Sequence, residues 1–335
     1  METENIMVSV VMLCYNHEKY IRKALEGAIN QKTNFRYELL VHDDASTDAS
    51  AEIIREFEQK YPDIMRPTYQ TENQYSKHIP ITRTILFPKA RGKYIAYCEC
   101  DDYWCDENKL QKQVDFLEMH PEYCATAHNC MLIDAEGEPL QTERNIYRPS
   151  RAHRYTLDRF ALGAAFPGQT ATILHRTSVI EWHDEQMKSD FYAMRFRNSG
   201  DKSLVLRMLL HADIYCFEEF MSAHRVVTSG GDSWTARNHG KNLSFDNHAA
   251  AIDFRRYVKK YYNIKFRNQY VIFHTGVACL VKYWRKPTEE NKKVYQQLLK
   301  EHGGLLKTVF YLIGTGVVSI PLYFARRKEI KKYDF

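Results

Sequence analysis

Glycine is scarce in this 335-residue chain: it holds only 14, and none form a G-x-G-x-x-G or Walker pattern. Collagen-like structure is excluded, and any bound phosphate must be neutralised by a metal or by basic side chains instead of a glycine cradle. There is no sustained heptad and no fixed-period repeat, which removes coiled coils and solenoids. The 8 cysteines never occur in C-x-x-C spacing. Cys98, Cys100, Cys105, Cys124, His128 and Cys130 are dense, yet they read as ordinary reduced thiols before they read as a structural zinc site. The first seven residues are acidic, with no basic region and no small-residue cleavage site. No export signal is therefore expected, and the thiols fit a reducing, cytoplasmic compartment. Charge of one sign is also scarce, since 47 Lys and Arg face 42 Asp and Glu. The excess sits at Arg326, Arg327, Lys328, Lys331 and Lys332. With the remainder balanced and no zinc-finger, RRM or helix-turn-helix signature, nucleic acid is not an expected partner.

What is present is a globular composition, 44% hydrophobic, 27% charged and 13% aromatic, long enough to bury a sizeable core. Two periods alternate in the first half. Val8-Ser-Val-Val-Met-Leu-Cys14 is the apolar, β-branched run of a strand buried on both faces, and residues 19–30 carry Ile21, Leu25, Ala28 and Ile29 at helical spacing. Tyr37-Glu-Leu-Leu-Val41 is a second strand, 46–60 a helix, 64–69 a third strand, 79–89 a helix with Pro80 in its first turn, and Lys93-Tyr-Ile-Ala-Tyr-Cys98 another strand. A helix follows over 108–119. Beyond Cys130 the alternation loosens into a hairpin at 131–137, a strand at 170–175, a helix at 201–211 and a strand at 214–220. From about residue 238 the pattern is helical, with helices at 239–262, 268–284 and 289–301 before a last apolar stretch. The expected domains are 1–235 and 236–335.

Alternating strand and helix with short connections predicts an α/β fold, a mostly parallel central sheet flanked by helices, with ligands at the carboxyl ends of the strands. Those ends read Cys14-Tyr-Asn-His17, His42-Asp-Asp-Ala-Ser-Thr-Asp48 and Glu99-Cys-Asp-Asp-Tyr-Trp104. Glu99, Asp101 and Asp102 can converge on one hard divalent cation. Equally, they can form a solvated turn before a helix, with Asp106 as its cap. Asp43 and Asp44 can accept hydrogen bonds from a base N–H or a ribose hydroxyl, or one can simply cap the following helix. Acids at two strand ends favour a nucleotide diphosphate with its metal.

Val8-Ser-Val-Val-Met-Leu-Cys-Tyr-Asn16, Glu38-Leu-Leu-Val-His-Asp-Asp-Ala-Ser-Thr-Asp48 and Gly92-Lys-Tyr-Ile-Ala-Tyr-Cys-Glu-Cys-Asp-Asp-Tyr-Trp104 resemble, in order, the signatures of family 2 glycosyltransferases. The resemblance is close over roughly the first 130 residues and continues more weakly to Trp234. It implies a GT-A fold and inverting transfer from a nucleotide-diphosphate sugar, a UDP-hexose or UDP-N-acetylhexosamine, with Mn2+ or Mg2+. The implied acceptor is a glycan or lipid-linked sugar in bacterial surface-polysaccharide synthesis. Residue by residue, it implies that Asp44, and with it Asp43, contacts the base, and that Tyr15 lies along the nucleotide. Glu99-Cys-Asp101 stands where the family has Asp-x-Asp. Asp101 is then the leading metal ligand, Glu99 faces the ribose or a metal-bound water, and Asp102 ranks next. Arg83 matches the family's arginine before that motif. Asp201, in Ser-Gly-Asp at a helix start, takes the place of the general base, although a capping Asp is the plain alternative. Arg225 matches a loop arginine that meets the diphosphate. Val227 replaces the expected histidine of that loop, and His224 could supply an imidazole instead. Gly230, Gly231 and Trp234 suit a closing lid, and 166–170 suits the acceptor side.

Two rivals remain. A nucleotidyltransferase would share the nucleotide fold, although the glycine-free Leu13-Cys-Tyr-Asn-His17 argues against it, and a silent sugar-nucleotide-binding scaffold would explain Glu99 and Val227. The uncharged run 308–325, followed by the basic tail, is short for a span. It reads as an interfacial helix over 308–332 on the cytoplasmic face of an anionic membrane, or as a buried closing helix.

Overall fold

Apolar runs buried on both faces set the architecture. β1 (Ile6–Cys14), β2 (Arg36–Asp43) and β4 (Tyr94–Tyr97) are almost wholly buried, as strands covered by helices on both sides must be. The structure is a computed structural model that describes residues 5–140, 152–163, 166–181, 200–227 and 241–334. The chain divides into two compact units.

The first unit comprises Met1–Tyr155, Phe166–Glu181 and His211–Arg237. Its other strands are β3 (Thr68–Tyr69), β5 (Tyr103–Trp104), β6 (Tyr123–Ile133), β7 (His153–Tyr155), β8 (Leu174–Arg176) and β9 (Asp213–Arg225). Among the described residues these nine form one sheet in the order β3-β2-β1-β4-β8-β6-β9-β5, with β7 also on β9. The pairings β3-β2-β1-β4 are parallel, as is β6 with β9. The links of β8 to its neighbours, and of β5 and β7 to β9, are antiparallel. Helices α1 (Ile21–Ile29), α2 (Ser50–Lys60) and α3 (Lys109–Met119) pack on the sheet. Ile21, Ala24, Leu25 and Ala28 recur at i, i+3, i+4 and i+7, so α1 presents one apolar stripe to Val10, Met12 and Leu39.

Residues 79–89 do not form the expected regular helix. Thr82–Leu86 is a wide π-type turn and Phe87–Lys89 a 3-10 turn, because Pro88 has no N–H to continue an α-helix. Residues 170–175 likewise split into a 3-10 turn, Thr170–Thr172, and then β8. The expected third strand shrinks to Thr68–Tyr69, with Met65 bridged to Leu39.

Away from the strand ends that carry the acids, the sheet is pinned by a buried carboxylate. Glu38 accepts from Ser9 Oγ (2.7 Å), from Arg91 N (3.0 Å) and from the Arg91 guanidinium (2.9 and 2.6 Å). Gly92 N donates to Ser9 Oγ at 2.9 Å. A Cβ on Gly92 would lie 2.4 Å from Ser9 N and 2.7 Å from Tyr94 O, so only glycine lets this turn close on β1.

The second unit comprises Thr156–Ala165, Trp182–Leu210 and Asn238–Phe335. Its grouping differs from a single cut near residue 235, because Ala161 and Leu206 pack with Ala250, Phe254 and Tyr257. They lie on α4 (Leu157–Ala161), α6 (Asp201–His211) and α7 (Ser244–Tyr262), while the short α5 (Ser178–Glu181) stays with the first unit. α8 (Gln269–Arg285), α9 (Glu289–His302) and α10 (Leu305–Asp334) complete the second unit. Buried His248 on α7 donates from Nδ1 to Ile272 O (2.9 Å), which leaves Nε2 to accept from His302 Nε2 on α9 (2.9 Å).

Gly92→Ala is expected to destabilise the chain by at least ~2 kcal/mol, because backbone atoms must move to admit the methyl group. An unchanged melting temperature would refute that packing argument. Burial, with His302 beside it, holds the His248 pKa down to about 4 from 6.5. The unfolded chain therefore binds a proton that the folded chain refuses, and stability falls as pH drops from 6.5 towards 4. The full effect is about 3 kcal/mol. Urea unfolding at about pH 7 and about pH 4.5 should show a smaller difference for His248→Gln than for the parent chain.

Candidate functional site

Adjacent parallel strands β2, β1 and β4 bring their carboxyl ends to one edge, and the turns that leave them are tied to each other. Asn16 and Ala45 both adopt left-handed backbone, at φ 56 and 61. Asn16 N donates to Ser46 Oγ (3.0 Å), and Asn16 Oδ1 accepts from Thr47 N (2.8 Å). His17 N donates to Ser50 Oγ (2.9 Å) and Glu18 N to Asp48 Oδ2 (3.0 Å). Ser46, Thr47 and Asp48 thus build the floor of the site, and Tyr15 lies half-buried in the first turn.

The two neighbouring aspartates of β2 and its exit have different surroundings. Asp44 is occupied: its oxygens accept from Gln74 N (2.7 Å) and Tyr75 N (3.0 Å), and His42 Nε2 lies 3.4 Å away. Asp43 accepts only a long contact from Ser46 N (3.3 Å) with Oδ2, while its buried Oδ1 has no hydrogen-bond partner. The two carboxylates are equally buried and differ in how far the chain's own donors satisfy them.

The acidic turn after β4 is organised by Asp102, which is 1% exposed. Its carboxylate accepts from Arg225 N (2.8 Å), His224 Nδ1 (3.0 Å) and Gln169 Nε2 (3.0 Å). Gln169 Nε2 also reaches Glu99 Oε2 at 3.1 Å, so one amide holds two acids of the turn. A carboxylate so engaged is a structural hub. Arg225 is committed too. Its Nε donates to Asp101 O (3.0 Å), its Nη1 to Asp134 O and Ala135 O (2.7 and 2.9 Å), and its guanidinium lies over the Tyr20 ring. The guanidinium braces the acidic turn.

Asp101 sits in different surroundings. Burial, and then repulsion from Asp102, raise its carboxyl above the ordinary range, against the pull of His17 and His224. Burial also pulls His224 down, but Asp102, Glu99 and Asp101 outweigh it and lift its pKa to about 9. Burial acts on His17 in the same sense, and its bond to Cys14 and the charge of Asp101 raise it. An acidic centre framed by two imidazoles results. Sequence reasoning left out His17 and missed the bridging role of Gln169, and nothing local in either segment signals it. A divalent cation fits Asp101 with Glu99, which offer hard oxygen donors and a repulsion that a cation would relieve. Among the described residues, no three His, Cys, Asp or Glu side chains form a ready-made metal cage. That is compatible with a cation that takes its remaining ligands from substrate phosphates and water.

The other expected residues are spread out. Arg83 sits half-buried in the turn Thr82–Leu86. Asp201 is the exposed first residue of α6 and belongs to the second unit. Phe166 to Thr170 contributes Gln169 to the acidic turn, and Gly230, Gly231 and Trp234 lie outside the described residues.

Residues 9–182 match the profile of Glycosyl transferase family 2. The chain is 41% identical over 145 residues to the uncharacterized protein Rv1520 of Mycobacterium tuberculosis, a match covering 42% of this chain and 41% of that one. It is 30% identical over 135 residues to the putative teichuronic acid biosynthesis glycosyltransferase TuaG of Bacillus subtilis, covering 40% of this chain and 50% of that one. The matched stretch is thus two fifths to one half of these relatives' length. The crystal structure of S. aureus TarS 1–349 in complex with UDP superposes with a TM-score of 0.57 at 17% identity, over 98% of this chain and 89% of that one. It shares the fold.

Asp102→Asn replaces one acceptor with an NH2 group that faces existing donors. The expected cost is about 3 kcal/mol of stability. Chemical denaturation would measure it, and a loss below ~1 kcal/mol would show that the hub is dispensable.

Proposed function

We propose that this chain, which belongs to glycosyl transferase family 2, transfers a sugar with inversion from a UDP-hexose or UDP-N-acetylhexosamine to a glycan or lipid-linked acceptor in polysaccharide biosynthesis. The observation that carries this reading is the pairing, at one sheet edge, of a buried, unsatisfied acceptor on Asp43 with the acidic pair Glu99 and Asp101, whose Asp101 carboxyl is raised by burial and by Asp102. A nucleotide diphosphate has the matching parts, a base with a donor N–H at one end and charged phosphates at the other. The UDP bound to TarS supports uracil as that base, and the relation to TuaG supports a cell-surface glycan as the product class.

In this reading Asp43 Oδ1 accepts from the base, and Asp44 holds the 74–75 backbone beside it. Tyr15 and Arg83 line the donor, and Asp101 with Glu99 would hold Mn2+ or Mg2+, which supplies charge neutralisation to the leaving diphosphate. Asp201 is the proposed general base. Its carboxylate takes the proton of the acceptor hydroxyl as that oxygen bonds to the anomeric carbon, and the bond from that carbon to the diphosphate oxygen breaks on the opposite face.

UDP should protect the wild-type chain against thermal unfolding more strongly than GDP or TDP. Asp43→Asn should weaken that binding at least ~10-fold, the loss of one charge-assisted hydrogen bond. Asp201→Asn should keep UDP binding while UDP release from a panel of UDP-sugars with acceptor falls by ~10²-fold or more. Asp101→Ala should remove the dependence of that release on added Mn2+ or Mg2+. No protection by any nucleotide, or unimpaired transfer by both Asp101→Ala and Asp201→Asn, would overturn the proposal.

A further inference from the structure

The last helix, α10, has two faces of opposite character. One face is anchored on α8: Leu312 and Thr315 are buried, and Gly276 of α8 and Gly316 let the helices approach closely. A Cβ on Gly276 would lie 2.6 Å from Leu312 Cδ2, and one on Gly316 would lie 2.8 Å from the Phe273 ring. The opposite face carries Leu306 at 74%, Phe310 at 72%, Ile313 at 55%, Val317 at 70%, Ile320 at 37% and Phe324 at 58% exposure. These positions step by four and three in strict alternation, which on an α-helix draws one straight apolar row about 27 Å long.

That row does not end in neutral sequence. The sequence that follows Phe324 in the same helix is basic, with Arg327, Lys328 and Lys331. Arg326 and Lys332 flank them, against Glu329 and Asp334. The helix therefore carries large apolar residues first and then a basic segment with five Lys and Arg against two acids. No helix among the described residues is long and apolar enough to cross a membrane. Pro321 and the glycines at 314 and 316 suit a helix that lies along a surface better than one that must span.

We propose that α10 docks the chain on an anionic lipid surface, with the row from Leu306 to Phe324 sunk at the headgroup boundary and the basic end paired with lipid phosphates. Charge complementarity selects this occupant. A second copy of the chain would bring its own basic segment with it, and like charges repel, whereas an anionic bilayer satisfies both the apolar row and the basic segment together. The inference does not depend on the sugar-transfer reading, because it concerns a separate face and is tested without substrate.

The test is flotation of the full chain with vesicles of phosphatidylcholine alone or with ~30% phosphatidylglycerol, at low and high salt. The wild-type chain is expected to float with the anionic vesicles, to bind neutral ones at least ~10-fold less, and to be released by salt. The double variant Phe310→Glu, Val317→Glu changes only exposed positions. It should lose anionic-vesicle binding at least ~10-fold while its circular dichroism and melting temperature stay unchanged. The pair Arg327→Glu, Lys331→Glu should lose the preference for anionic over neutral vesicles, and it decides the question if the first variant folds poorly. Wild-type chain that floats with neither vesicle, or variants that float as wild type does, would overturn the proposal. So would light scattering that shows a dimer abolished by Phe310→Glu, Val317→Glu without any vesicle binding, since the row would then cover a second copy.

Discussion

A carboxylate withdrawn from water has to be met by donors, and the donors that meet Asp102 come from distant parts of the chain. Gln169 reaches it from the approach to β8, while His224 and the Arg225 backbone reach it from β9. The exit of β4 is thereby fastened to the approach to the neighbouring β8 and to β9, and the acidic turn is held at several points. Asp101 inherits the opposite condition. Burial and the like charge of Asp102 raise its carboxyl, and His17 and His224 offset this only in part.

The same division of labour marks the exits of β1 and β2. Most polar atoms of Asp43-Asp-Ala-Ser-Thr-Asp48 join one turn to the other or hold the 74–75 backbone, while the buried Asp43 Oδ1 has no hydrogen-bond partner. A motif that reads as a binding signature is, atom by atom, largely architecture.

This explains what was legible in the sequence. The alternation of apolar strands and amphipathic helices located β1, β2, β4 and α1 to α3, and the strand ends placed the acids at one edge, because periodicity and burial are local properties. Which member of each adjacent acidic pair stays open was not legible. Asp43 and Asp44 look alike in composition and differ only through partners about 30 residues away, and Asp102 is claimed by groups more than 60 and 120 residues away. The irregular turn at 82–86 escaped for a related reason, since its apolar spacing is helical while Pro88 forbids the ladder that would finish the helix. The four-and-three row of α10 was visible only as an uncharged run until the packing against α8 showed which side it left bare.

The bond from Arg225 to Asp102 runs through the main-chain N–H, which every amino acid but proline supplies. Mutational drift at position 225 can therefore erase the guanidinium brace while this tether survives, whereas almost any replacement at position 102 breaks it. The two ends of one hydrogen bond thus differ in evolutionary freedom: descendants of this chain can experiment on the β9 side of the site, and the β4 side is where such experiments would be purged.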